Sequence, residues 1–251
     1  MKDDFYVGYL PTTSPGLRAF LRRWTVALLS LVVAASLGLT LSMGGFSSAA
    51  FEFGTVRDFE GTLAGGPVPM LLVDRPGQLE DSDGTSSYVL TAFGKFGAEQ
   101  EVHDHLGQRV RLRGTLIYRD DRTMIELESG SIEVLATAGP GATGAAEELG
   151  TRTLAGEIVD SKCYLGVMKP GNLKPHRACA VRCISGGIPP VLLVRDEDGL
   201  ASYYFLVSAE GGAVNDAVLA HVAEPVEVTG RVVRENGQHF LYADPGTYLY
   251  H

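Results

Sequence analysis

Two stretches of the chain, Arg109–Ile117 (RVRLRGTLI) and Pro225–Val233 (PVEVTGRVV), decide the fold because they are copies of one pattern. In each stretch apolar and polar residues alternate with a period of two, which predicts a half-buried β-strand. The same order surrounds both stretches: three strand-like segments and a short amphipathic segment come first, and a further strand-like segment follows. Five strands with a helix between the third and the fourth is the order of an OB-fold, a partly open Greek-key barrel. The sequence therefore predicts a mainly β protein with two tandem OB-fold-like barrels.

The two copies also indicate the domain boundaries. The first copy occupies residues 51–135 and the second occupies residues 151–251. Between them, residues 136–150 (ATAGPGATGAAEELG) are rich in Gly and Ala and have no periodic pattern. Such a composition is typical of a linker, so we expect two separate barrels joined by this segment.

An insertion distinguishes the second copy from the first. Gly61 aligns with Gly156, which lies 95 residues later. Leu71 aligns with Leu192, which lies 121 residues later, so the second copy has gained 26 residues between its first two strands. The insertion covers about residues 161–187. In OB-folds the loop at this place is one of those that bind ligands.

A membrane anchor is predicted near the start of the chain. Residues 24–43 (WTVALLSLVVAASLGLTLSM) carry no charge, and a helix of this length spans a hydrocarbon core of about 30 Å. Three basic residues precede this run: Arg18, Arg22 and Arg23. By the positive-inside rule, residues 1–23 form a cytoplasmic tail and the rest lies outside the bacterial cytoplasmic membrane. A cleaved signal peptide is the alternative, although this run is longer than the usual signal core.

The predicted tail is unusually aromatic for so short a segment. It contains Phe5, Tyr6 and Tyr9 within five positions. These side chains suit either the lipid interface, where aromatic rings are common, or docking onto a partner membrane protein.

The composition excludes several function classes. The chain has 251 residues, of which 45% are apolar and 20% are charged, as in ordinary globular proteins. Its net charge of −9 argues against a general nucleic-acid binder, which needs a surplus of Lys and Arg. No nucleophile-elbow, zinc-protease, Walker or dinucleotide-binding motif occurs, so we predict no catalytic residues and favour a non-enzymatic role.

All three cysteines of the chain, Cys163, Cys179 and Cys183, lie in the insertion. Pro175–Ser185 is predicted to form a short helix, because Pro suits a first helical turn and two glycines follow its end. His176 then shares one helix face with Cys179 and Cys183. The loop before this helix can bring Cys163 back to the same face.

Four readings of this cluster stay open. Cys163 forms a structural disulfide with Cys179 or Cys183, as an oxidising compartment favours. Alternatively, the three thiolates and His176 hold zinc or copper. In a third reading the thiols do redox chemistry, because basic neighbours lower thiol pKa values. The last reading is a non-covalently bound haem, since the covalent attachment motif is absent.

The insertion is also basic. No acidic residue occurs between residues 161 and 195, and the residues proposed to dock an anionic group or partner are Lys162, Lys169, Lys174, Arg177 and Arg182.

Two segments of the chain resemble a group of poorly characterised, membrane-anchored bacterial proteins. They are Gly156–Val191 (GEIVDSKCYLGVMKPGNLKPHRACAVRCISGGIPPV) and Phe5–Pro11 (FYVGYLP). The group is associated with respiratory electron-transport systems. The resemblance therefore implies a metal-holding, redox or complex-subunit role for the insertion, without selecting among them.

Together these features predict an accessory or assembly subunit of a membrane redox complex, with the insertion as its docking or metal-holding element. A stand-alone metal or haem carrier is the first alternative. A thiol-disulfide oxidoreductase is the second.

Overall fold

A computed structural model of the chain describes residues 13–44, 49–75, 84–137, 146–197 and 199–251. The aromatic tail residues Phe5, Tyr6 and Tyr9 lie outside the described residues. The chain divides into two compact units, one before and one after Ser48, and each is described by itself.

The first unit contains one helix, α1, over Pro15–Gly44. Pro15–Ser42 is by length and composition long and apolar enough to cross a membrane, and its 18-residue apolar stretch has a mean hydropathy of 2.0. The predicted anchor, residues 24–43, lies within this helix. An N-terminal apolar helix of this kind is compatible with a membrane anchor, and a signal sequence has the same properties.

The second unit begins with a closed barrel. Its elements are β1 (Ala50–Phe51), β2 (Arg57–Ala64), β3 (Met70–Asp74), β4 (Thr85–Thr91), α2 (Glu99–Val102), β5 (Gln108–Arg119), β6 (Arg122–Leu127) and β7 (Glu133–Thr137). A 3₁₀ turn over His103–His105 extends α2. The barrel closes in the order β2-β3-β4-β6-β5-β2, in which β4 and β6 run parallel and all other neighbours run antiparallel.

A second closed barrel follows with the same topology. Its strands are β8 (Glu147–Asp160), β9 (Pro190–Arg195), β10 (Ala201–Val207), β11 (Pro225–Glu235), β12 (Gln238–Tyr242) and β13 (Leu249–Tyr250). Here β10 and β12 form the parallel pair, and a 3₁₀ turn over Leu219–His221 stands where α2 stands in the first barrel. The two predicted five-stranded barrels, and their order along the chain, are therefore confirmed.

The aligned glycines lie where the neighbouring strand leaves no room for a side chain. A β-carbon at Gly61 would lie 2.3 Å from a carbonyl oxygen of β3, and one at Gly156 would lie 2.5 Å from a carbonyl oxygen of β9. Such contacts are not tolerated by a side chain, so only glycine fits both positions. The same steric need explains why the sequence repeat preserves them.

The insertion lies between β8 and β9, as predicted. It consists of a π-helical turn over Cys163–Val167, a 3₁₀ turn over Lys174–His176 and helix α3 over Arg177–Ser185. The predicted helix is thus present, with its first turn drawn into 3₁₀ geometry. After it the chain turns at two glycines and enters β9.

The two barrels share one apolar cluster. The first barrel contributes Met70, Val89, Ile117 and Met124, and the second contributes Tyr164, Tyr203, Phe205 and Phe240. Both ends of the predicted linker 136–150 are strand, because β7 pairs with β5 and β8 pairs with β11. Residues 138–145 of that segment lie outside the described residues.

Candidate functional site

The structure brings the three cysteines together. Their sulfur atoms all lie within 4.8 Å of one another, and the Sγ atoms of Cys163 and Cys183 are 3.9 Å apart and not bonded. Cys163 lies in the turn after β8, while Cys179 and Cys183 lie on consecutive turns of α3. Cys163 and Cys183 are buried, whereas Cys179 is partly exposed and forms the solvent-facing edge of the cluster.

A buried carboxylate fixes the geometry around Cys163. One oxygen of Asp160 accepts a hydrogen bond from the Cys163 backbone N–H at 2.8 Å, and the other lies 2.9 Å from His176 Nε2. The Asp160 and His176 side chains are both buried. His176 therefore groups with Asp160 and Cys163, within 4.8 Å, rather than with Cys179 and Cys183. Sequence reasoning placed His176 beside the thiols and missed Asp160.

Apolar and polar contacts hold the other side of the cluster. Ile188 and Val167 pack against Cys163 and Cys183. The Asn215 side-chain amide donates to the carbonyl oxygens of both Ile184 and Ile188, at 2.8 and 3.0 Å. These bonds tie the end of α3 to the body of the second barrel.

Lys95 joins the site although no sequence pattern predicts it. It lies in the loop between β4 and α2 of the first barrel, yet its Nζ donates to Cys179 Sγ at 2.9 Å and lies 3.9 Å from Cys183 Sγ. Lys95 and Cys179 are 84 residues apart in the chain, so no local pattern links them. The site is thus built by the insertion and completed by the other barrel.

Close backbone packing holds the Lys95 loop against α3. The Gly97 N–H donates to the Gly186 carbonyl at 3.0 Å. A β-carbon at Gly186 would lie 1.9 Å from the carbonyl oxygen of Lys95, and one at Gly97 would lie 2.3 Å from that of Gly187. Glycine on both loops therefore permits the approach that brings Lys95 to the cysteines.

Lys162 is not a docking residue, and that prediction is wrong. It is only 2% exposed, and its ammonium pairs with Glu126 and donates to the carbonyl oxygens of Ala92 and Gly94 at 2.8 and 2.7 Å. An ammonium group has three donors, and all three are used here. Lys162 therefore clamps the base of the Lys95 loop instead of presenting charge to a partner.

The other predicted docking residues differ in whether their side chains form ion pairs with acidic residues. Lys174 and Arg177 both form ion pairs with Glu224, and the Lys174 hydrogen bond lowers the pKa of that carboxyl. Lys169 and Arg182 are exposed, and no ion pair is described for either. The positive surface is therefore smaller than the sequence indicates.

The thiols do not ionise alike. The pKa of Cys183 is lowered, first because the Cys163 thiol donates a hydrogen bond to its sulfur and also because the Lys95 ammonium is near. That same hydrogen bond, together with burial, raises the pKa of Cys163. The hydrogen bond to Cys179 raises the pKa of Lys95. The more acidic of these two thiols, Cys183, therefore lies 3.9 Å from the ammonium of Lys95.

Exposed phenylalanines lie on the Lys95 loop and near it. Phe53 is 78% exposed, Phe93 is 69% exposed and Phe96 is 63% exposed. Phe53 and Phe93 line one shallow groove, and Phe93 and Phe96 line a second that reaches Gly186. Large apolar side chains grouped in this way are typical of interaction surfaces.

Comparison of the chain with family models, curated proteins and solved structures gives no match.

Proposed function

We propose that this chain is a membrane-anchored, extracytoplasmic accessory or assembly subunit of a membrane redox complex, in which three cysteines hold a soft metal ion. The observation that carries the proposal is the convergence of Cys163, Cys179 and Cys183 within 4.8 Å. Thiolates are the ligands that zinc and Cu(I) prefer in proteins.

The dimensions of the cluster fit a bound ion. A metal–sulfur bond of about 2.3 Å places neighbouring sulfurs about 3.8 Å apart in a tetrahedral site and about 4.0 Å apart in a trigonal one. The observed separation of the Cys163 and Cys183 sulfurs is 3.9 Å. An ion can therefore bind without rearrangement of the two buried cysteines.

The anchor and its flanking charges support the location. Helix α1 is long enough to span a bilayer, and arginines precede its apolar segment. The positive-inside rule then puts the barrels outside the cytoplasmic membrane. The anchor would keep the protein in the same membrane as a redox complex, which favours their association.

The surface around the site supports the docking role. Phe93 and Phe96 are exposed on either side of Lys95, and Arg182 is exposed on α3. Exposed rings of this kind suit a partner with an apolar patch, because burial of that area then stabilises the complex.

Metal analysis of the full chain tests the proposal. The protein is purified in mild detergent, reduced without oxygen and reconstituted with zinc and with Cu(I). We expect one ion per chain in the wild type and none in Cys179→Ser, whose partly exposed side chain can be changed without a core cavity. Failure of the wild type to retain either ion would overturn the metal-holding role.

A second purification tests the subunit role. Under the same detergent conditions we expect the chain to copurify at a fixed ratio with a membrane protein that has a redox cofactor absorbance. Isolation of the chain alone, still loaded with metal, would replace the subunit role with that of a stand-alone carrier.

One observation favours a second function. The lowered pKa of Cys183 and its 3.9 Å approach to Cys163 suit thiol-disulfide exchange. Burial of both sulfurs opposes it, since exchange needs access to the attacked sulfur. Turnover of a disulfide substrate by the reduced chain, lost in Cys183→Ser, would establish an oxidoreductase. No turnover would exclude it.

A further inference from the structure

We infer that the three-cysteine site selects Cu(I) in trigonal thiolate coordination, and that Lys95 of the first barrel acts as a positioning residue that hydrogen-bonds the Cys179 sulfur. The inference rests on the proposed metal-holding function and names its ion. It also assigns a role to a residue outside the insertion.

The number of ligands is the first argument. Among the residues that the structure describes, no histidine or carboxylate atom joins the three-sulfur group within 4.8 Å. The nearest candidates, Asp160 and His176, are hydrogen-bonded to each other, and Asp160 also holds the Cys163 N–H. Structural zinc sites are almost always tetrahedral with four protein ligands. Three sulfurs without a fourth ligand suit Cu(I), which soft thiolates select.

The surroundings of the site are the second argument. Cys163 and Cys183 are 3% and 1% exposed, and Ile188 packs against them. The apolar side chain on this side offers no donor atom that could serve as the fourth ligand of a zinc ion. Access remains at Cys179, which is the partly exposed member of the cluster. An incoming ion can therefore meet Cys179 first and then the two buried sulfurs.

The charge at the site is the third argument. One Cu(I) and three thiolates carry a net double negative charge, which is costly to bury without compensation. The Lys95 ammonium donates to Cys179 Sγ at 2.9 Å and lies 3.9 Å from Cys183 Sγ, so it supplies a positive charge at the sulfurs. Hydrogen bonds that involve charged partners are also the stronger ones. Lys95 thus stabilises the loaded state without coordinating the ion.

The position of Lys95 is itself built into the fold. The buried Lys162 ammonium holds the carbonyls of Ala92 and Gly94, and the Gly97–Gly186 contact closes the other end of the loop. Lys95 is therefore supported on both sides by contacts between the barrels. Outer groups that orient metal ligands affect metal affinity about 10–100-fold when they are removed.

Anaerobic competition titrations on the reduced full chain in detergent test the inference. Cu(I) is presented as its complex with a colorimetric chelator, and Zn²⁺ is added in excess as competitor. We expect the protein to take one Cu(I) per chain from the chelator. We also expect that excess Zn²⁺ does not displace this Cu(I). Lys95→Met is expected to weaken Cu(I) binding by about 10-fold or more. Arg109→Met, whose partly exposed arginine pairs with Asp74 on the first barrel, is the control and should bind as wild type.

The outcomes separate this inference from the function on which it rests. Binding of Zn²⁺ in preference to Cu(I) would overturn the choice of ion and leave metal holding intact, whereas binding of neither ion would overturn both. Equal Cu(I) affinity of Lys95→Met and wild type would overturn the role of Lys95. Circular dichroism of each variant checks folding, and Lys95→Gln, which keeps most of the side chain and removes its charge, replaces Lys95→Met if that variant does not fold.

Discussion

The two barrels have the same strand order and differ most in the connection between their first and second strands. In the first barrel five residues, 65–69, join β2 to β3. In the second barrel residues 161–189 join β8 to β9 and contain every cysteine of the chain. The difference shows that the two barrels share one strand framework and that the three cysteines lie in the one long connection that the first barrel lacks.

The first barrel nevertheless contributes to the site on the second. Its β4–α2 loop supplies Lys95, and Glu126 of β6 pairs with the buried Lys162 at the start of the insertion. The insertion is thus supported from both sides, and the barrels share one apolar cluster beneath it. The comparison between a barrel without an insertion and a barrel with one therefore leads to specific tests of what each barrel provides.

The largest effect is expected from Lys162→Met. It leaves the Glu126 carboxylate, which is 11% exposed, without its buried partner. Breaking such a pair costs about 3–5 kcal/mol of unfolding free energy, because an uncompensated charge stays buried. Urea unfolding in detergent, followed by the circular dichroism of the tyrosines, measures this loss. Lys169→Met, at an exposed lysine, is the control, and an equal loss there would contradict the clamp.

A matched pair of substitutions tests whether the two barrels are equivalent where their sequences align. Gly61→Ala and Gly156→Ala each place a β-carbon within 2.5 Å of a carbonyl oxygen on the next strand. We expect similar losses of about 1–3 kcal/mol, the usual cost of overpacking. Gly212→Ala, where the nearest atom is a side-chain oxygen at 3.4 Å, should unfold as wild type does. A large cost in one barrel alone would break the equivalence.

Asn215→Ala should loosen the insertion without changing the barrel. The asparagine amide donates to the carbonyls of Ile184 and Ile188, and the Ile184 carbonyl also accepts from the Gly187 N–H. The substitution therefore affects Ile188 most, and an unsatisfied buried group costs about 1–3 kcal/mol. Hydrogen exchange is the measurement. We expect faster exchange of the amides of α3 and unchanged exchange in β5 and β6. Faster exchange throughout both barrels would show that the insertion is part of the common core.

The smallest effect is a difference in alkaline stability. Burial raises the pKa of Tyr248, so the folded chain keeps this phenol proton at a pH where the unfolded chain releases it. Its stabilising contribution is present below the ordinary pKa of about 10 and is lost as pH rises above that value. Tyr248→Phe should therefore lose less stability than wild type in that range. Urea midpoints at neutral and alkaline pH measure the two slopes, and identical slopes would contradict this account.

The barrels and the insertion could be predicted because their signals are local. The two-residue alternation in β5 and β11 arises from strand geometry, and glycines such as Gly61 and Gly156 recur because the strands approach there. The helix over Arg177–Ser185 could be predicted from Pro175 and the glycines that follow. Each of these features depends on neighbours within about one element.

The completed site could not be predicted because it depends on how the barrels pack. A basic residue such as Lys162 is usually exposed, and only its three acceptors from the first barrel account for its burial. Lys95 approaches Cys179 for the same reason. Asp160 was not predicted, although it is only three residues before Cys163. Its carboxylate accepts a hydrogen bond from a backbone N–H, and this role produces no recognisable sequence motif.

X-ray absorption of the copper-loaded full chain tests the central claim most directly. The account places three sulfurs around the ion and leaves His176 hydrogen-bonded to Asp160. It therefore predicts a spectrum with three sulfur neighbours at about 2.3 Å and no nitrogen in the first shell. A shell of two sulfurs with a histidine nitrogen would contradict it.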